Sequence, residues 1–341
     1  MTDSVHGLAR LTSLVDAFAR RRVLVFGDVL ADEFVYGRVA RVSREAPVLI
    51  LEHDATEVVA GGAGNAANNV AALGAKALAI GVVGNDDAGR RLVASLKPRV
   101  ERRGIARARG YATPTKTRVL AGCVHSAKQQ IVRIDRDTRL PVPEETRKTL
   151  ERHLDRALAT CDAVLVSDYG SGLVTPALVG GLVATLARLG RRLPVVVDSR
   201  YQLDRFRDLT ACTPNESELE HVLGVTVGDD PEALERAGRT LLRRTRSEAV
   251  LVTRGSRGMA LFERGKPTVH VPIFGSDEIA DVTGAGDTVI ATTTLALASG
   301  ATFTEAARLA NYAGGLVVMK RGTATVSADE LRGAVRDDLG E

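Results

Sequence analysis

Seven residues, Asp281-Val-Thr-Gly-Ala-Gly-Asp287, carry the clearest chemistry in the chain. Gly284 and Gly286 flank a small residue just before a helical pattern. A glycine-rich turn that opens a helix aims several backbone N–H groups at one point. The positive end of the helix dipole acts there too, so that point favours phosphate oxygens. Asp287 falls in the first helical turn, beside the anion hole. A carboxylate so placed can accept the proton of a substrate hydroxyl as it attacks a γ-phosphate. The plainer alternative is that Asp281 and Asp287 cap a turn whose glycines supply positive φ.

Four further strings carry polar groups at chemically useful spacing. In Thr213-Pro-Asn-Glu-Ser-Glu218, Asn215 and Glu218 are three apart and share a helical face. An amide and a carboxylate suit Mg²⁺, which takes oxygen ligands and keeps several waters; an N-terminal helix cap is the competing reading. Thr253-Arg-Gly-Ser-Arg-Gly258 follows an apolar run and reads as a close backbone approach to a nucleotide or as a hairpin turn. Gly61-Gly-Ala-Gly-Asn-Ala-Ala67, with Asp86 and Asp87 downstream, imitates a dinucleotide fingerprint. It does not follow the first strand, and Asn65 in its turn suits sugar hydroxyls better. Gly27-Asp-Val-Leu-Ala-Asp32 ends the first strand, where Asp28 and Asp32 can meet sugar hydroxyls or cap the loop.

The elements that must position these groups alternate. Apolar runs at Val23–Phe26, Ala77–Val83, Ala163–Ser167, Val195–Asp198 and Val250–Thr253 read as buried strands. Helical patterns lie at Ala66–Leu73, Glu144–Ala159, Pro176–Leu189, Pro231–Arg244, Gly286–Ser299 and Phe303–Arg321, with a last helix after Ser327. That alternation predicts an α/β fold, a mostly parallel central sheet with helices on both faces. Segments 33–57 and 111–136 break the pattern with period-2 character and predict a small β-layer beside it. No linker or internal repeat divides residues 1–341, so one domain is expected.

Composition narrows the function classes. The net charge is +4 and aromatics make up 4 % with no Trp, which disfavours a nucleic-acid stacking platform. A mildly basic, interspersed charge suits anionic small molecules. Cys123, Cys161 and Cys212 are far apart and read as neither a zinc site nor a disulfide framework. They suit a reducing cytoplasm. Residues 7–22 read as an amphipathic helix carrying Leu8, Leu11, Leu14, Val15 and Phe18 rather than a signal peptide, and no apolar run is long enough to span a membrane.

Taken in order, these strings resemble the PfkB (ribokinase-like) family of carbohydrate kinases, from about Val23 to Val326. Gly61–Ala67 resembles the family's first signature and Asp281–Asp287 its second. The resemblance implies a ribokinase-like fold whose small sheet is a lid, with lid segments 33–57 and 111–136. It also implies an ATP-dependent kinase using Mg²⁺, often with K⁺. By matching position, Asp287 is the general base, and the N–H groups of Gly284, Ala285 and Gly286 form the anion hole. Asn215 and Glu218 organise Mg²⁺, Asp281 and Thr283 border a monovalent cation, and Thr253, Gly255, Gly258 and Asn311 border the nucleotide. Asp28, Asp32, Gly61, Gly62 and Asn65 hold the sugar.

Within the family, Gly27–Gly37, Arg41–Val48, Gln129–Asp135 and Ser167-Asp-Tyr-Gly170 are similar to the kinases that phosphorylate heptose 7-phosphates at the anomeric hydroxyl. The chain ends before a nucleotidyltransferase unit would begin, so a stand-alone kinase is expected. One departure stands out. Ser171 and Ser199-Arg200 occupy places where heptose kinases carry Lys and Pro-Lys. Lys116, Arg118, Arg133 and Arg200 are the cations available in their stead. The expected partners are ATP and a sugar phosphate, with a homodimer formed through the lid, and no nucleic acid or membrane. A nicotinamide oxidoreductase using Gly62–Ala67 and a non-catalytic sugar sensor are the rival classes.

Overall fold

The structure is a computed structural model and describes residues 2–122, 128–137, 141–275 and 281–339; Cys123 lies outside them. Val23-Leu24-Val25-Phe26 is apolar at every position, so its strand needs cover on both faces. It forms β1 (Arg22–Gly27) near the middle of a nine-stranded sheet. Val23 and Val25 enter one core, while Leu24 and Phe26 enter the other. The remaining strands of this sheet are β4 (Lys76–Gly84), β5 (Val100–Ala108), β8 (Ala163–Asp168), β9 (Val195–Ser199), β10 (Ala211–Cys212), β11 (Ala249–Thr253), β12 (Met259–Glu263) and β13 (Val269–Val271). Their order is β13-β12-β11-β10-β9-β8-β1-β4-β5. Pairings from β11 to β5 are parallel, whereas β12 and β13 join antiparallel.

One face is covered by α1 (Thr2–Phe18), α2 (Ala63–Ala72), α8 (Ala285–Ala298), α9 (Phe303–Val318) and α10 (Ala328–Leu339), with α3 (Asp87–Ala94) beside them. The other face is covered by α4 (Glu144–Leu158), α5 (Pro176–Arg188), α6 (Glu216–Leu223) and α7 (Pro231–Thr245). The first helix stops at Phe18 rather than running on to Arg22, because Arg22 already pairs with Lys76 in the sheet. Cys161 and Cys212 are buried free thiols.

A second sheet has four strands: β2 (Val29–Val42), β3 (Leu49–Gly62), β6 (Thr115–Gly122) and β7 (Gln129–Arg136), in the order β3-β2-β6-β7. Both segments expected to form the lid contribute its strands, residues 123–127 lying outside the described ones, and the first pair of strands starts earlier and ends later than segment 33–57. β2 leaves β1 after one residue, and β3 runs directly into α2. One end of the small sheet is therefore anchored at the carboxyl edge of the large one. Strands after β1 build outward on one side and those from β8 on the other, so β1 and β8 flank the switch point where open α/β sheets bind ligands.

Candidate active site

At that switch point a cleft of ≈ 300 Å³ opens between the two sheets. The carboxyl ends of β8 and β9 supply Tyr169, Asp198 and Arg200; β2, β6 and β7 supply Asp32, Lys116, Arg118 and Arg133. The N-terminus of α6 supplies Asn215 and Glu218, and that of α8 supplies Gly284, Gly286 and Asp287.

Helix α8 is apolar or Thr-rich all round, so it must be buried, and its hydroxyls must find partners inside the protein. Thr292 and Thr294 donate to the Thr288 and Ile290 carbonyls one turn back, whereas Thr293 Oγ1 is buried without a partner among the described residues. Burial of α8 carries Asp287 down with it, leaving the residue 3 % exposed. Both carboxylate oxygens are fixed: Asn65 Nδ2 donates to Oδ2 at 2.8 Å, and the Tyr169 hydroxyl donates to Oδ1 at 3.2 Å. Burial pushes the Asp287 pKa up to about 7, against the lowering effect of Asn65; Asp32 adds to the rise, and Tyr169 and Arg200 oppose it. A carboxylate poised near neutrality at the entrance of a helix has the properties of a general base.

The turn before α8 accommodates this arrangement through Gly284, which has φ +80°; a Cβ there would stand 2.6 Å from Asn65 Nδ2. Of the three expected anion-hole residues, Gly284 and Gly286 line the cleft, while the Ala285 N–H donates to the Val282 carbonyl at 3.2 Å. Asn65 was expected among the sugar ligands. Its amide instead faces Asp287, and its Oδ1 accepts from Asn69 Nδ2 at 3.2 Å, which settles the orientation of the amide. Asn65 thus orients the Asp287 carboxylate from α2.

Asp32 faces the cleft from β2 and pairs with Arg118 at 2.5 Å. Gly61 on β3 permits this, since a Cβ there would lie 2.3 Å from Asp32 Oδ2. Gly62 lines the cleft, but Asp28 and Gly61 do not. Asp28 Oδ2 instead accepts the N–H groups of Tyr169 and Ser171 at 2.8 and 3.0 Å, so it anchors the loop after β8. Burial raises its pKa to about 6, against the pull of those backbone donors.

Asn215 and Glu218 form the reciprocal helix cap: Asn215 Oδ1 accepts the Glu218 N–H at 2.8 Å, and Glu218 Oε2 accepts the Asn215 N–H at 2.9 Å. Both still line the cleft, held beside Thr253 by the bond from the Thr253 N–H to the Pro214 carbonyl. Asp198 stands near them and carries no role in the sequence reading. The signal for it was its place directly after the apolar strand Val195–Val197. Burial and then the Glu218 and Asp287 charges hold its carboxyl well above the usual range. Among the described residues, Asp198 Oδ1 and Thr213 Oγ1 are buried without a protein partner, and both residues line this cleft. Oxygen donors of this kind fit a hydrated Mg²⁺.

Tyr169 connects the two halves of the site. The Arg200 guanidinium lies 4.3 Å from its ring centroid and the Lys116 ammonium 4.7 Å. Arg118 is neutralised by Asp32, and Arg133 by a bidentate contact to Asp135. Among the described residues, Lys116 and Arg200 form no ion pair, and burial followed by the Arg200 charge lowers the Lys116 pKa. Ser199, in the departing position, is buried and donates to Asp168 Oδ2 at 2.6 Å, leaving Arg200 as the cation at this edge.

The remaining predicted residues lie further out. Gly255 and Gly258 form the short turn that makes β11 and β12 an antiparallel hairpin; they do not line the cleft, whereas Thr253 does. Asn311 donates to the Pro272 carbonyl at 2.8 Å and faces a separate hollow beside α9. Asp281 accepts the N–H groups of Thr283 and Gly322, tying the turn to the chain beyond α9, and Thr283 lines the cleft.

A helix N-terminus, a buried carboxylate beside it and two cations opposite thus share one cleft. The model described as pfkB family carbohydrate kinase matches residues 20–330, and the chain belongs to that family of ATP-dependent sugar kinases. The Bifunctional protein HldE of Geobacter sulfurreducens is 40% identical over 320 residues, covering 93% of this chain and 64% of that protein. The protein of the same description from Caulobacter vibrioides is 40% identical over 333 residues, covering 97% of this chain and 67% of its own. The chain therefore spans only about two thirds of the length of these relatives. The fold is similar to that of Escherichia coli phosphofructokinase-2 in complex with potassium, with TM-score 0.72, 19% identity, and coverage of 94% of this chain and 100% of that one. It is also similar to Arabidopsis thaliana ribokinase complexed with ribose and ATP, with TM-score 0.69, 20% identity, and coverage of 94% and 99%. Among the described residues no helix is long and apolar enough to cross a membrane.

Proposed function

We propose that the protein transfers the γ-phosphoryl group of ATP to the anomeric hydroxyl of a heptose 7-phosphate, D-glycero-D-manno-heptose 7-phosphate or a close relative, giving the 1,7-bisphosphate. One observation carries the substrate class: Lys116 and Arg200 face the cleft of Asp287 and, among the described residues, neither is held in a direct ion pair, the surrounding carboxylates Asp32, Asp135, Asp198 and Glu218 acting on them only through space. A sugar whose hydroxyl meets Asp287 would present a distal phosphate to these cations. The similarity of the strings Gly27–Gly37 and Gln129–Asp135 to heptose kinases supports the same reading.

In this mechanism Asp287 takes the proton of the attacking hydroxyl, with Asn65 and Tyr169 holding its two oxygens. Gly284 and Gly286 present backbone N–H groups at the α8 N-terminus to the transferring phosphoryl oxygens. Asn215 and Glu218, with Asp198 beside them, would hold Mg²⁺ through water, supplying positive charge against those oxygens. Thr253, Gly255, Gly258 and Asn311 would border the nucleotide, and Asp281 and Thr283 a K⁺ ion. The small sheet would close over the sugar and exclude water.

A panel of acceptors with MgATP tests the substrate class. The expected result is a kcat/KM for heptose 7-phosphate at least about 10²-fold above that for the same heptose without phosphate, the scale of a desolvated phosphate contact. Equal values for the two, or a preference for an uncharged sugar or nucleoside, would overturn it.

We further propose a cytoplasmic homodimer paired through the small sheet. Its edge strand β7 and the β2–β3 tip expose Val132, Ile134, Val42 and Val48 at 47%, 48%, 59% and 56%. An apolar exposed edge invites a second strand. Ile134→Lys is expected to convert the dimer to monomer in sedimentation equilibrium; a monomeric parent protein would contradict the proposal.

A further inference from the structure

We infer that Tyr169 is a positioning residue that joins the catalytic base to the wall receiving the distal phosphate. The inference rests on the roles proposed for Asp287, Lys116 and Arg200. It goes beyond them because Tyr169 belongs to neither group yet touches both. Its hydroxyl donates to Asp287 Oδ1 at 3.2 Å, while Lys116 and Arg200 sit at 4.7 and 4.3 Å from its ring centroid. Its backbone is fixed as well, since its N–H donates to the buried Asp28 carboxylate at 2.8 Å. A ring held at its backbone and its hydroxyl cannot follow a mobile cation; instead, the flexible Lys116 and Arg200 side chains are held by the ring. The same side chain therefore sets where the base points and where the phosphate-binding cations stand. The distance between the two ends of a bound sugar phosphate is built into one residue.

The hydroxyl and the ring make separable contributions. The hydroxyl donates only to the ionised or accepting oxygen of Asp287, so it favours the form that can take a proton. Removing it moves the midpoint of the acid limb of kcat/KM upward. The other charged groups in the cleft of Asp287 are Asp32 from β2, Lys116 and Arg118 from β6, Arg133 from β7, Asp198 in β9, Arg200 just after it and Glu218 from α6, and all remain in a Tyr169→Phe protein. The ring contributes to phosphate discrimination through the two cations. Tyr169→Phe keeps the ring, and Tyr169→Leu removes ring and hydroxyl together.

Three proteins are compared over a range of pH with a phosphorylated acceptor and its unphosphorylated counterpart. Tyr169→Phe is expected to raise the midpoint of the acid limb by at least about half a pH unit, the scale of one charge-assisted hydrogen bond. Its preference for the phosphorylated acceptor should stay within about twofold of the parent. Tyr169→Leu is expected to show the same shift and to lose about tenfold of that preference, the scale of two cation–ring contacts. An unmoved midpoint in Tyr169→Phe, or an unchanged preference in Tyr169→Leu, would overturn the inference. The Phe variant is nearly isosteric, so it still decides the first point if the Leu variant fails to fold. If the parent protein shows no acid limb, the base assignment fails instead; if it shows no phosphate preference, the substrate reading fails.

Discussion

Asp287→Asn lowers kcat by at least about 10²-fold, the contribution of a general base, while the KM for ATP changes little. The variant keeps an oxygen and an N–H group at the same place, so α8 and the contacts from Asn65 and Tyr169 retain partners. What it loses is the capacity to hold a proton. The pH dependence has a defined sign. Burial raises the Asp287 pKa to about 7, so the ionised base is depleted as pH falls through that value. In the parent enzyme kcat/KM for the sugar should fall tenfold per unit below about pH 6, and this limb should be absent from the residual activity of Asp287→Asn. Near-normal turnover in the variant, or a parent profile flat down to pH 5, would remove Asp287 from the role of base. Steady-state kinetics across pH 5 to 9 is the measurement.

Asp32→Ala is the second large effect, and it acts on stability as well as binding. Arg118 and Asp32 have side chains only 11% and 6% exposed and are paired at 2.5 Å. Removing the carboxylate leaves a buried guanidinium with no counter-charge, a loss on the order of 3–5 kcal/mol. Asp32 also faces the cleft directly; with the proposed acceptor of a sugar hydroxyl removed, kcat/KM for the sugar should fall by about 10-fold to 10²-fold. Replacing both residues, as Asp32→Ala with Arg118→Met, should recover most of the melting temperature and none of the activity. Recovery of activity in the double variant would mean that Asp32 serves only to hold Arg118.

The main sheet was legible because its central strands are buried on both faces, and continuous apolar runs such as Val23–Phe26 mark that state. The strands that escaped notice lack the signature. β5 reads Val-Glu-Arg-Arg-Gly-Ile-Ala-Arg-Ala, an edge strand with charged residues facing outward, and β12 and β13 are short antiparallel additions. Asp86 stands at the spacing from Gly62 that a dinucleotide fingerprint would use, a fingerprint set aside in the sequence reading; in the fold Asp86 caps α3 by accepting the Gly89 N–H at 2.8 Å and also binds Thr113. The local pattern of acid and spacing was the same for either role; only the folded partner distinguishes them.

In the site, the placing of the Asp281–Asp287 turn and of the Asn215/Glu218 pair at one cleft was legible from local spacing, since each sits at a helix start. Long-range partners were not. Tyr169 and Asp287 are 118 positions apart, and Asn65 and Asp287 are 222 apart. Residue type alone could not distinguish Asn65 as a sugar ligand from Asn65 as the donor that holds Asp287. Asp198 and Tyr169 were findable by one rule only, that ligands gather beyond the carboxyl ends of strands near the switch point. The departures at Ser171 and Ser199-Arg200 read as a lost ammonium with Arg200 among the cations available in its stead, and Arg200 does line the cleft.

Where the phosphoryl group goes decides the proposed function. The direct measurement is ³¹P NMR of a reaction containing the protein, MgATP and heptose 7-phosphate, run beside an Asp287→Asn control. A new phosphate resonance coupled to the anomeric proton should grow in step with ADP, while the control stays at background. Transfer to another carbon, ADP formation without a sugar product, or an equal rate in the control would contradict it.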